Sequence, residues 1–378
     1  MKLETFALER AQSIWENRVA WNISESGVHP LKVKELANTT AHHDALLELE
    51  LGYPQTNGTN ELRELIAAIY PGATPGHVQV TNGGSEANCI LLMRLVAPGD
   101  EVVFMTPNYM QASGLAKALG ATVHPWRLRE TAGESPRWAP DLDELRRLVN
   151  GRTRAILICN PNNPTGARLT GDEVDEICRV AAGVGAWVVS DEIYRGAERV
   201  ADDTPTVWGR YERAIVSSGL SKAYGLPGLR IGWVVAPTDL VDDLWAIHDY
   251  TTIAPGGMSD RLARVALEPE RRGTILARTR GIIRANYPLM QRWIEKQEGL
   301  SHIAPEAGAI VFVRCDVPQP TLELAEQLRE ERSVLLVPGE FFDLPGYLRI
   351  GFGSDPAYLE SALTLTGEFL RSVRVHAR

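Results

Sequence analysis

The stretch SSGLSKAYGLPGLRIGW, residues 217–233, sets one lysine among small polar residues and glycines, with an arginine eight positions further on, between two apolar runs of strand character. Lysines ordinarily stay on the surface. Lys222, however, follows closely on RAIVSS (213–218), and Arg230 opens RIGWVV (230–235), so both cations fall at the ends of chain that should be buried. Similar β-rich runs recur upstream as HVQV (77–80), EVVFM (101–105), ATVHPW (121–126), RAILI (154–158) and AWVVS (186–190). Amphipathic stretches at 85–96, 109–119, 141–149 and 170–184 separate several of them. Strands apolar on both faces, alternating with helices, predict an α/β fold with a three-layer α/β/α large domain and a mainly parallel sheet.

Past residue 270 the pattern changes to a long helical stretch, 273–297, then short strands AIVFV (309–313), SVLLVP (333–338) and YLRIGF (347–352) with helices at 321–331 and 355–370. This predicts a smaller α+β domain. We place the large domain at 45–270 and build the small one from 1–44 and 271–378, with a first strand-like stretch at 22–36. A chain of 378 residues is long enough for more than one core.

The net charge of −9 argues against a nucleic-acid partner, whose phosphates need clustered Lys and Arg. Four cysteines lie far apart with no CxxC, and eight histidines form no HExxH, so no metal site is expected. Early acids at the N-terminus and the lack of any run of about 18 apolar residues predict no membrane association and a cytoplasmic location.

Ligands of parallel α/β sheets bind beyond the carboxyl ends of the strands. After HVQV comes TNGGSEANC (81–89), where Gly84 and Ser85 open a helix, either as a phosphate cradle or as a turn capped by Ser85. After RAILI comes NPNNPTG (160–166), a rigid turn in which Asn163 could present an amide donor. After AWVVS comes DEIYRG (191–196), with Asp191 as helix cap or buried acid and Tyr194 three residues on. Lys222 offers an amine whose basicity desolvation lowers, and Arg230 a partner for phosphate. An anion cradle, a neutral donor, a buried acid and an amine suit pyridoxal 5′-phosphate, which needs each of them.

NPNNPTG, SDEIY and GLSKAYGLPGLRIGW, with YPQTNGTNELRELI (53–66) upstream and YLRIGFG (347–353) downstream, resemble the fold-type I, class I/II aminotransferase family along almost the whole chain. The resemblance implies transfer of an amino group from an α-amino acid to a 2-oxo acid, with Lys222 as the Schiff-base lysine and Asp191 as partner of the pyridine nitrogen. It implies Asn163 and Tyr194 as donors to the phenolate oxygen, and Gly84, Ser85 and Arg230 as phosphate binders. Tyr109 in TPNYMQ would stack on the ring, Arg349 would grip the substrate carboxylate, and Gly27 would lie near it. Tyr53 would reach the phosphate of a second subunit, implying a homodimer with shared sites. Gly219 departs from many relatives, which have serine three residues before the lysine, so that Ser221 or Ser218 should take over its phosphate contact.

SESGVHP (24–30) is also similar to the N-terminal stretch of capreomycidine synthase-type cyclases and of arginine oxidases. That implies an alternative, a non-transaminating enzyme on an arginine-like amino acid, with Glu25 pairing a cationic side chain and His29 moving protons. Trp21, Tyr250 and Met258 either line the pocket or pack elsewhere.

Overall fold

The computed structural model describes residues 2–200, 203–317 and 319–376. An eight-stranded sheet runs in the order Val78–Thr81, Gly232–Val235, Ala214–Gly219, Trp187–Asp191, Thr153–Cys159, Glu101–Thr106, Thr122–Glu130, Trp138–Pro140. Pairing is parallel from Ala214–Gly219 through to Thr122–Glu130, whereas Gly232–Val235 is antiparallel to both its neighbours and Trp138–Pro140 is an antiparallel edge. The parallel strands deliver their carboxyl ends to one rim. Every residue of Val78–Thr81, Glu101–Thr106, Ala214–Gly219 and Gly232–Val235 is buried.

Alternation along the strands divides the core between the two faces of the sheet. Val102, Phe104, Ile215 and Val234 pack with Ile90, Leu91 and Leu95 of the helix Gly84–Leu95 and with Leu240 and Leu244. Val103, Met105, Ile156, Val188 and Val216 face the other way, into a core shared with Val174, Ile177 and the long helix Pro269–Glu295. Local signals set the helix ends. Thr170 and Glu173 form a reciprocal cap, Glu173 N–H donating to Thr170 Oγ1 at 3.2 Å and Thr170 N–H to Glu173 Oε2 at 2.8 Å.

A second, antiparallel sheet has the order Leu300–His302, Ile310–Cys315, Tyr347–Gly351, Val337–Pro338. The expected strand 333–338 is split: Val334–Leu335 pairs with Trp21–Asn22, and only Val337–Pro338 joins this sheet. The expected strand character of 22–36 holds only at Trp21–Asn22, and the segment ends in a short helix, Val33–Leu36. Between them the chain bonds its neighbours singly rather than as a ladder: Gly351 N–H donates to Ile23 O at 2.7 Å and His29 N–H to Gly353 O at 2.8 Å. Two glycines permit this approach, since a Cβ on Gly351 would strike the Glu25 backbone and one on Gly353 the Gly27 backbone. Among the described residues no helix is long and apolar enough to cross a membrane.

Candidate active site

A cavity of about 340 Å³ opens at the carboxyl rim of the large sheet and brings together Gly84, Ser85, Tyr109, Asn163, Asp191, Tyr194, Ser221, Lys222, Arg230 and Arg349, with Glu25 at its mouth. Its floor comes from strand ends. Asp191 is the last residue of its strand and stands in register between Cys159 and Ser217. Its Oδ2 accepts from Asn88 Nδ2 at 3.2 Å and its Oδ1 from Ile193 N–H at 3.1 Å, while Ser217 Oγ fixes the Asn88 amide by donating to Oδ1 at 2.7 Å. Burial raises the Asp191 carboxyl above its ordinary value, and those two donors only partly offset this. A cation held against it would relieve the desolvation.

Past the end of the edge strand Val78–Thr81, Gly83 at φ +94° caps the helix Gly84–Leu95, so Ser85 is its second residue and not its cap. The first-turn amides of such a helix lack carbonyl partners of their own. Arg230, itself left-handed at φ +49°, lays its guanidinium where a Cβ of residue 83 would go, and the positive φ of Gly83 favours glycine there, since a side chain would also displace that guanidinium. A side chain at Gly219 would put its Cβ 2.8 Å from Ile231 O and 3.0 Å from Gly232 Cα, which explains why serine is missing there. Of its two expected substitutes, Ser221 lines the cavity, whereas Ser218 Oγ turns away and donates to Glu192 O at 3.1 Å.

Arg349 enters from the small sheet and is 1% exposed. Its Nη1 donates to Asn163 Oδ1 at 2.9 Å and its Nη2 to Ser24 O at 2.5 Å, while Nε has no hydrogen-bond partner. Because Asn163 accepts through its oxygen, its amide N–H groups stay free to donate. Tyr194 donates its hydroxyl to Ser26 Oγ at 2.8 Å, and burial pushes its phenol up.

Lys222 Nζ lies 3.4 Å from Glu25 Oε2. The ammonium holds the Glu25 carboxyl below its ordinary value against the opposing effect of burial, and Arg349 adds to it. Gly27 runs beside the lysine, where a Cβ would come 3.6 Å from Lys222 Cδ. The roof is the helix Ala7–Trp15 and its continuation, which presents Glu9, Gln12, Ser13 and Glu16 to the cavity. Tyr109 donates to Glu9 Oε1 at 2.7 Å, and burial followed by the Glu9 charge raises its phenol. Glu16 is raised by burial and then by repulsion from Glu25 and Glu9.

Three expected site residues are not brought into this cavity. Tyr53 is 85% exposed. The ring of His29 sits with Nδ1 3.1 Å from Gly353 O, outside the cavity wall. Gly27 touches Lys222 but does not line the space. Trp21 packs on Tyr358 with ring centroids 4.9 Å apart, and Tyr250 and Met258 are exposed. The sequence reading had missed Asn88 and the whole roof. Positions 9, 12, 13 and 16 do carry the 3.6-residue spacing of one helix face, a signal that could have found the roof.

The arrangement defines an enzyme built around a lysine amine, a buried acid and an anion-binding turn. The Aminotransferase class I and II family matches residues 29–364, and the chain belongs to this family of pyridoxal-phosphate-dependent enzymes, whose substrates are small-molecule amino acids. It is 36% identical to capreomycidine synthase of Streptomyces vinaceus, over 94% of this chain and 90% of that one. It is 29% identical to the aspartate aminotransferase of Thermotoga maritima, over 85% of this chain and 84% of the other. A solved PLP-dependent aminotransferase from Streptococcus suis 89-1591 superposes with a TM-score of 0.92 at 35% identity, covering 99% of both chains.

Proposed function

We propose that the cavity holds pyridoxal 5′-phosphate with Lys222 as its covalent anchor, and that the protein moves the amino group of an α-amino acid to a 2-oxo acid. One observation supports this most: Lys222, the buried carboxylate of Asp191 and the buried guanidinium of Arg349 converge on a single space. The residues suit the group. Gly84, Ser85, Ser221 and Arg230 would take its phosphate, Asp191 its ring nitrogen, and Asn163 and Tyr194 its phenolate oxygen, with Tyr109 against the ring. Bound there, the cofactor supplies an electron sink for the α-carbon.

The protein's own share is orientation and proton movement. Arg349, held rigidly by Asn163 and Ser24 O, offers a planar fork to the substrate carboxylate. Lys222 would be the base that takes the substrate's α-proton and gives it back on the far side of the amino nitrogen. Reduction of the holoenzyme with borohydride, followed by peptide mapping, is expected to tag Lys222; a tag elsewhere, or none, overturns the assignment. Lys222→Ala should lose turnover by about 10³-fold or more, as for loss of a covalent nucleophile and base.

A second reading is favoured by the carboxylates of Glu9, Glu16 and Glu25, which face the same cavity. They suit a substrate with a cationic side chain, and the likeness to capreomycidine synthase supports an arginine-like amino acid and a reaction needing no acceptor. Incubation with arginine-like amino acids without any keto acid decides it, because absence of product by mass spectrometry eliminates this reading. His29, whose Nδ1 lies 3.1 Å from Gly353 O, is given no part in this reading.

We also propose a homodimer with shared sites. Leu47, Leu51, Tyr53 and Tyr250 are each more than four-fifths exposed, an apolar set that a partner would cover while placing Tyr53 at its phosphate. Light scattering of the purified protein tests it. We divide the chain into 45–270, with the eight-stranded sheet, and 1–44 with 271–378, with the two smaller sheets, and four cysteines outside any disulfide fit a cytoplasmic setting.

A further inference from the structure

Glu86 lies outside the cavity, in the first turn of the helix Gly84–Leu95, with its side chain 10% exposed. Its carboxylate is fully engaged. Oε2 accepts the Asn82 N–H at 2.6 Å and stands 3.4 Å from Nε2 of the buried His248. Oε1 accepts the hydroxyls of Thr251 and Thr252, the latter at 2.8 Å. The Asn82 side chain runs to the same place, donating to Thr252 Oγ1 at 2.6 Å and to Ala254 O at 3.0 Å. One carboxylate therefore ties the turn 82–84 to the segment 248–254.

A glutamate at the third position of a helix ordinarily reaches back to the amide of the cap residue. Here the cap is Gly83, and Glu86 reaches past it to Asn82. A simple cap would need nothing from residues 251 and 252. Burial by itself would raise this group, yet His248, Thr251, Asn82 and Thr252 together hold it down to about 2, so it is a matched anion across the working pH range.

We propose that Glu86 is the positioning residue of the phosphate turn: by fixing the Asn82 N–H it holds Gly83 left-handed and aims the amides of Gly84 and Ser85 into the cavity beside Arg230. This rests on the reading above that the turn takes the cofactor phosphate. Its signature is selective, because a residue acting through the phosphate turn affects pyridoxal phosphate and leaves pyridoxal, which lacks the phosphate, unaffected.

The test titrates cofactor-stripped full-length protein with pyridoxal phosphate and, separately, with pyridoxal, following the absorbance of the bound chromophore. In Glu86→Gln the dissociation constant for pyridoxal phosphate should rise about tenfold or more, the scale of one lost charged hydrogen bond, while that for pyridoxal moves less than about twofold. Thr252→Val should shift the same ratio in the same direction by a smaller factor, and it serves where Glu86→Gln folds poorly. The phosphorus resonance of bound cofactor should move in both variants. An unchanged ratio of the two affinities, or an equal loss for both ligands, overturns the proposal while leaving the assignment of Lys222 intact. A wild-type protein that takes up no pyridoxal phosphate overturns both.

Discussion

The floor and the roof of the cavity differ in how they are made. The floor residues Asp191, Asn163, Lys222 and the Gly83–Ser85 turn stand at or just beyond the ends of strands in the buried sheet, and local bonds such as Ile193 N–H to Asp191 Oδ1 and Gly83 N–H to Thr81 O hold the turns there. The roof is a single nine-residue helix, Ala7–Trp15, with one buried residue, Leu8, held by a few side-chain contacts: Gln12 to Ser24 Oγ at 2.9 Å, Tyr109 to Glu9, and Arg329 over the Trp15 ring at 4.2 Å. Chemistry common to the family needs the rigid part. The weakly held part brings Glu9 and the following Glu16 to the cavity, opposite Glu25, and on the second reading above these carboxylates would choose the substrate.

If that division is right, substitutions in the floor should abolish or destabilise and those in the roof should tune. Asp191→Asn gives the largest effect. It keeps the shape but removes the charge and leaves one oxygen to accept from Asn88 Nδ2 or Ile193 N–H, so kcat should fall about 10²–10⁴-fold while the protein stays folded. Near-normal kcat would mean that the acid does not face the ring nitrogen.

Gly219→Ser, which restores the family's usual residue, is expected to lower stability by about 1–3 kcal/mol in denaturant unfolding, because its Cβ meets the Ile231 carbonyl and Gly232 Cα, backbone on both counts. A neutral or stabilising result would show that the strand pair Ala214–Gly219 and Gly232–Val235 yields more readily than a rigid floor should.

The same contrast governs what could be read before the structure. The floor was legible because polar residues placed just after apolar strands need a reason, and parallel strands bring their ends together whatever lies between. Lys222, Asp191 and Asn163 are separated by dozens of residues, yet they share one rim. The roof was not legible for two reasons. Its helix shows a polar face at 9, 12, 13 and 16, but periodicity does not say which cavity a face covers. The segment 22–28 alternates like a strand, with Ile23, Ser24, Ser26 and Val28 buried, yet one of its carbonyls, Ser24 O, goes to the Arg349 guanidinium in place of a strand partner. Arg349 was visible as a residue, whereas its role in bending the chain over the site depends on contacts far apart in sequence. Asn88 was hidden because its only distinction is the acid it touches.

The smallest effect tests the roof through its charge. Glu16 is raised above its ordinary value of 4.5 by burial and by Glu25 and Glu9, so the folded protein binds that proton more tightly than the unfolded chain does. Between the two values the native state holds more protons, and stability therefore falls as pH rises through this window, with the full penalty present above it. Glu16→Gln should remove the penalty, raising stability at pH 7.5 by about 0.2–1 kcal/mol, the scale of a partly screened charge contact. The gain should shrink toward zero as the comparison is repeated well below pH 4.5, where the carboxyl is protonated in the folded and the unfolded chain alike. Thermal unfolding of both proteins at the two pH values measures it. A variant less stable at pH 7.5, or equally stabilised at both, would mean that Glu16 is not crowded by Glu9 and Glu25, and the roof would lose its claim to be an acidic surface awaiting a cation.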